Sequence, residues 1–103
     1  MIEIRFERKN QHYTSLTMTG HSDSAEKGSD LVCASASSIA FGLCNALDVM
    51  ENIETISINE NMLRIDIDDP TERTDIILET GYHQLNTLAE VNRKYVNCKI
   101  MEV

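Results

Sequence analysis

Two kinds of hydrophobic spacing alternate along this chain, and together they call for a sheet covered on one side by helices. Ile2, Ile4 and Phe6 alternate with Glu3, Arg5 and Glu7, so a strand there has one apolar and one polar face. Residues 12–19 repeat the pattern with Leu16, Met18 and several β-branched threonines, and Asn10-Gln11 between them reads as a hairpin turn. Val32, Ala36, Ile39, Leu43, Leu47 and Met50 instead recur at steps of three and four, the buried stripe of a helix over residues 30 to about 50. Strand spacing returns at 53–59 and 62–68, where Ile56 and Ile58 face Leu63, Ile65 and Ile67 across a turn at Glu60-Asn61. Pro70 stops this second hairpin. A second helix follows from Thr71-Glu72 to about residue 94, with Leu78, Tyr82, Leu85, Leu88 and Val91 as its stripe, and residues 96–103 form a fifth strand.

The order ββαββαβ, with strands grouped as hairpins and helices between them, predicts an α+β fold: a two-layer sandwich of a mostly antiparallel sheet and two helices. A chain of 103 residues suits one domain over its whole length, 1–103, with one core. Gly42 sits inside the first helix at a cost of about 1 kcal/mol relative to alanine, and its place there predicts close packing against the sheet.

Seventeen acidic residues against nine basic ones give a net charge of -8. Such a field repels nucleic acid and anionic membrane and favours a cationic partner. The odd number of cysteines (Cys33, Cys44 and Cys98) and the lack of a CxxC pair argue for reduced thiols rather than a disulfide scaffold. No basic segment leading into an apolar run opens the chain, so no signal peptide is expected. The long apolar stretch over 31–50 is broken by serines, Asn45 and Asp48, and is read as a core helix rather than a membrane span. Together these features predict a cytoplasmic protein.

The chemistry concentrates where the second strand gives way to the first helix. His21 stands twelve positions before Cys33, and residues 20–29 between the two elements are polar. Gly20, Ser22, Gly28 and Ser29 belong to this flexible, exposed loop. A thiol is a poor nucleophile until it ionises, and a helix start favours the thiolate. Asp30 or Ser29 can cap the helix, and with Asp30 as the cap Cys33 falls at the third helical position. An imidazole at His21 then takes the thiol proton and returns it to a leaving amine. Asp30 has two roles open to it that can both hold: capping the helix, and orienting His21 in the manner of a triad. Ser37, four residues after Cys33, shares its helix face and either assists the site or bonds back to the Cys33 carbonyl. His12 and His83 read as surface residues, and Cys44 and Cys98 as packing residues. Asp66, Asp68, Asp69 and Glu72 read as a solvated turn. No HExxH or CxxC spacing occurs, so no metal is expected.

Gly20-His21, Gly28-x-Asp30-Leu31-Val32-Cys33-Ala34 and Ser37 resemble the signature of the ribosomal-processing cysteine protease family Prp. Ser22 stands where members usually have alanine, and Ala34-Ser35-Ala36 is more polar than the usual run; neither departure removes a reactive group. The resemblance implies a cysteine endopeptidase with His21 and Cys33 as the catalytic pair and no cofactor. It implies as substrate the N-terminal extension of a basic ribosomal protein of the bacterial large subunit, cut after an aromatic residue, and it implies a homodimer. A rival reading is a non-catalytic acidic module that docks a basic ribosomal protein, its thiol structural or redox-sensing.

Overall fold

The computed structural model describes residues 1–20 and 29–103, the side chains of Ser29 and Asp30 excepted. Its elements are β1 (Ile2–Lys9), β2 (His12–Thr19), α1 (Ser29–Glu51), β3 (Ile56–Ile58), β4 (Met62–Asp66), α2 (Glu72–Val91) and β5 (Val96–Glu102). The order ββαββαβ follows the hydrophobic spacing. All five strands form one sheet in the order β3-β4-β2-β1-β5. Three of its pairings are antiparallel, and β1 with β5 is parallel.

The β1–β2 hairpin closes on Lys9 opposite His12. Asn10 and Gln11 between them have φ of 51° and 69°, the two positive values that a tight turn needs to match the twist of its strands. Apolar residues then line up across the sheet: Ile4 lies opposite Met18, Met18 opposite Leu63, and Leu63 opposite Ile58. Both helices cover this face. Phe6, Leu16, Leu47, Ile65, Leu78 and Leu85 are wholly buried between the layers. The other face carries Glu3, Arg5, Glu7, Thr17, Arg64, Asp66 and Lys99, as strand alternation requires.

The second helix starts as its sequence asks. Thr71 is the N-cap; its hydroxyl accepts from the Thr74 N–H at 3.2 Å, and the Thr74 hydroxyl accepts from the Thr71 N–H at 2.9 Å. The first helix begins at Ser29, one residue before the expected start at Asp30. Cys33 is therefore its fifth residue, where a start at Asp30 would have made it the fourth. By length and composition α1 is apolar enough to cross a membrane, but Val32, Ala36, Ala40, Leu43 and Leu47 use that apolarity against the sheet.

Four expectations need correction. Strand β3 has three residues, not seven; it is an edge strand paired on one side only, and Ile58 is half exposed. Met50 and Val91, assigned to the buried stripes, are exposed; each lies at the C-terminal end of its helix, past Leu47 and Ala89, the last residues of the two helices that are buried. The second helix ends at Val91, short of residue 94, where Asn92 donates back to the carbonyls of Leu88 and Ala89. Gly42 is not the tight contact. A Cβ there would meet nothing within 4 Å, whereas at Gly81 it would stand 2.3 Å from Leu43 Cδ1. The tight fit lies at Gly81, against the Leu43 side chain of α1.

These two glycines give opposite predictions. Gly42→Ala gains up to about 1 kcal/mol of stability through helix propensity. Gly81→Ala loses about 1–3 kcal/mol by overpacking Leu43. Urea melts of the two variants beside the parent check both signs.

Candidate active site

Gly20 follows directly on β2 and is the last described residue before His21. Its φ is +86°, and a Cβ there would lie 2.3 Å from the Met1 carbonyl oxygen. Only glycine meets both conditions: a left-handed backbone and close passage over another chain segment. The direction in which the chain leaves the sheet is thus set by a steric fit to the N-terminal strand. His21, Ser22 and Gly28 lie outside the described residues, as do the side chains of Ser29 and Asp30. The Cys33–His21 approach, the capping role of Asp30 and the character of the 20–29 loop therefore belong to that undescribed part.

Cys33, Ser37 and Phe41 follow one another at steps of four along α1 and share a face. That face forms one wall of a cleft of about 140 Å3. Met18 and Gly20 at the end of β2 and residues 58–63 of the β3–β4 hairpin form the rest. The Cys33 thiol is half-buried against the core. Ser37 opens on the same cleft, as the helical spacing predicts. Ser35 also back-bonds along this helix, its hydroxyl donating to the Leu31 carbonyl at 2.8 Å. A larger hollow of about 450 Å3 runs between α2 and β5, lined by Asn86, Glu90, Arg93 and Cys98 among others. Chemistry rather than volume separates the two: the smaller one is lined by Cys33, the thiol twelve positions after His21 in the sequence, whereas the larger is lined by the desolvated Cys98.

The other thiols are held apart by burial. Cys44 is 6% exposed, and desolvation raises its pKa above the ordinary thiol value. Desolvation pushes Cys98 up to about 11. Removing a thiolate from water costs free energy that the neutral form does not. These two sulfurs pack, as the sequence implied.

The remaining candidates also resolve. His12 is more than a surface residue: its Nδ1 lies 2.7 Å from Asp75 Oδ2, and Asp75 Oδ1 accepts from the Tyr13 N–H at 2.9 Å, tying β2 to the first turn of α2. His83 stacks edge-on against Tyr82. Asp66 is forked by Arg64, Asp68 and Asp69 face solvent, and Glu72 sits in the first turn of α2, where a helix favours negative charge. Among the described residues, no three His, Cys, Asp or Glu side chains stand close enough to hold a metal.

The hairpin wall escaped the sequence reading. The turn at Glu60-Asn61 was visible, but nothing local to it points at a thiol 27 residues earlier; the pairing of β2 with β4 brings the two together. Phe41 did leave a signal, since it lies eight residues after Cys33 on the same helical face.

The family model for cysteine protease Prp matches residues 1–97. The chain belongs to that family. Its class of activity is thus that of a Prp cysteine protease. The ribosomal processing cysteine protease Prp of Staphylococcus aureus is 33% identical over 81 residues, 75% of this chain and 76% of its own. The Prp of Bacillus subtilis is 45% identical over a shorter stretch of 42 residues, 41% of this chain and 38% of its own. Among solved structures, SMU.848 from Streptococcus mutans superposes with a TM-score of 0.85 at 31% identity, covering 100% of this chain and 96% of that one. The S. aureus Prp in complex with a substrate peptide gives 0.86 at 25% identity, covering 98% and 100%.

Two predictions follow from this Prp site. Iodoacetamide at pH 8 modifies Cys33 first, because a thiol with a pKa of about 11 is thiolate in only about one molecule in a thousand at that pH and Cys44 is shut off from reagent; peptide mapping by mass locates the adduct. Gly20→Ala lowers stability by about 1–3 kcal/mol, the usual cost of a strained backbone position, and lowers turnover further because it redirects the chain entering His21. A thermal melt and a cleavage assay on the same preparation read the two effects.

Proposed function

We propose that this Prp family member is an endopeptidase that removes the N-terminal extension of a ribosomal protein of the large subunit. Cys33 Sγ attacks the scissile carbonyl carbon and forms a thioester as the C–N bond breaks. His21 takes the thiol proton and gives it to the leaving amine, and water, with His21 now as base, hydrolyses the thioester. Asp30 and Ser37 support the pair. The observation that carries this reading is the Cys33 thiol on the wall of a cleft open to a peptide. The S. aureus relative adds weight, since one of its structures holds a substrate peptide and another, at 26% identity, a covalently linked product peptide. Apolar walls from Met18, Phe41 and Leu63 suit an aromatic residue at the cut. The reading includes a cytoplasmic homodimer, in keeping with three reduced thiols and with the family resemblance. Family membership weighs against a non-catalytic module.

The test is incubation with the ribosomal-protein precursor of the same organism, followed by mass mapping of the products. One cut near the N-terminus is expected, absent with Cys33→Ala. His21→Ala should lose about 10²–10⁴-fold in rate, the usual contribution of a general base, with an unchanged melting temperature. Precursor processed by Cys33→Ala at the parent rate overturns the proposal.

A further inference from the structure

We propose that the β3–β4 turn is the specificity wall of this cleft, and that Glu60 on it selects a peptide with a lysine or arginine close to the scissile bond. The inference rests on the protease reading and names a feature of its substrate. Among the described residues lining the cleft, Glu60 carries the one formal charge; its neighbours there are Met18, Gly20, Cys33, Ser37 and the apolar or amide groups of the hairpin. Other carboxylates near cations are already engaged: Glu7 with Arg5, Glu51 with Arg73, Asp66 with Arg64 and Glu102 with Arg8. Glu60 takes part in none of these pairs and is exposed.

The turn is held without help from that side chain. The Asn59 N–H donates to the Met62 carbonyl at 2.9 Å, and Asn59 Oδ1 accepts from the N–H groups of both Asn61 and Met62 at 2.9 Å. Asn59 is thus the positioning residue, and Glu60 is presented on a fixed frame, so replacing the carboxylate leaves the frame intact. Beside it, Ile58 is 50% exposed, an apolar surface left open at the sheet edge. Lysine and arginine have the matching shape: a hydrocarbon stem that lies on apolar surface and a charged head that stays in water. The stem rests on Ile58 and the head meets Glu60. A carboxylate in the peptide is repelled, and a neutral polar residue gains neither contact.

The experiment measures binding to the Cys33→Ala protein, so that it does not depend on cleavage. Dye-labelled decapeptides of alanine, leucine and serine carry a single lysine walked along the sequence, each paired with a glutamine counterpart, and anisotropy gives the affinities. At one or two adjacent positions the lysine peptide should bind about two- to fivefold more tightly, the range of an exposed ion pair. Glu60→Gln should erase the preference, and Glu60→Lys should reverse it toward a glutamate-bearing peptide. Glu54→Gln removes the same charge from an exposed site outside the cleft and should leave the preference in place. A lysine preference that survives Glu60→Gln, one that Glu54→Gln weakens equally, or none at any position overturns the proposal. Failure of the protease reading shows separately, in the precursor assay.

Discussion

Everything in this structure hangs on β2, the central strand, which is hydrogen-bonded on both sides. Its pairing with β1 is local and is closed by a two-residue turn. Its pairing with β4 spans most of the first half of the chain, and the α1 connection between them must cross the apolar face to make it. That crossing buries the helical stripe and stacks Ile4, Met18, Leu63 and Ile58 into one row across four strands. Burying Ile4 and Leu63 of this row, with Met18 packed against them, is the hydrophobic reward that closes the long loop. The same register delivers the Asn59–Met62 turn to the side of Cys33. Site and core are products of one pairing.

The sheet also divides the labour among three chemically identical thiols. Cys44 points into the layer between helices and sheet, and Cys98 sits on β5 partly beneath α2. Both are kept protonated by desolvation. Cys33 stands at the edge of the covered region, where α1 passes the last residues of β2, and is half-buried. A small protein with a single modest core has few places where a side chain is both fixed by packing and open to a peptide, and the rim of the sandwich is one. The S. aureus Prp structures with bound peptides share the overall fold.

Much of the architecture was legible because it is periodic. Period two in Ile2-Ile4-Phe6 and period 3.6 in Val32-Ala36-Ile39-Leu43 are written locally, and so are Asn10-Gln11 and Thr71-Glu72 as turn and helix start. The errors fell where a local pattern outruns its partner. Met50 and Val91 continue their stripes past the last buried residues, Leu47 and Ala89, and β3 pairs on one side only, as the edge strand next to β4. Gly42 and Gly81 look alike in sequence, and only the helix pairing tells which one faces Leu43.

The sequence by itself determined the element order, the one-sided sheet and the candidate pair His21 and Cys33, since spacing and residue chemistry act over a few positions and need no partner. Only the tertiary structure decided which strands lie side by side, that β5 runs parallel to β1, that Gly20 is pinned by the Met1 carbonyl, and that a hairpin turn with Glu60 faces the thiol. These depend on contacts between residues far apart in the chain. Which distant surfaces meet is settled by the mutual fit of whole faces, and no short window of sequence contains both halves of that fit.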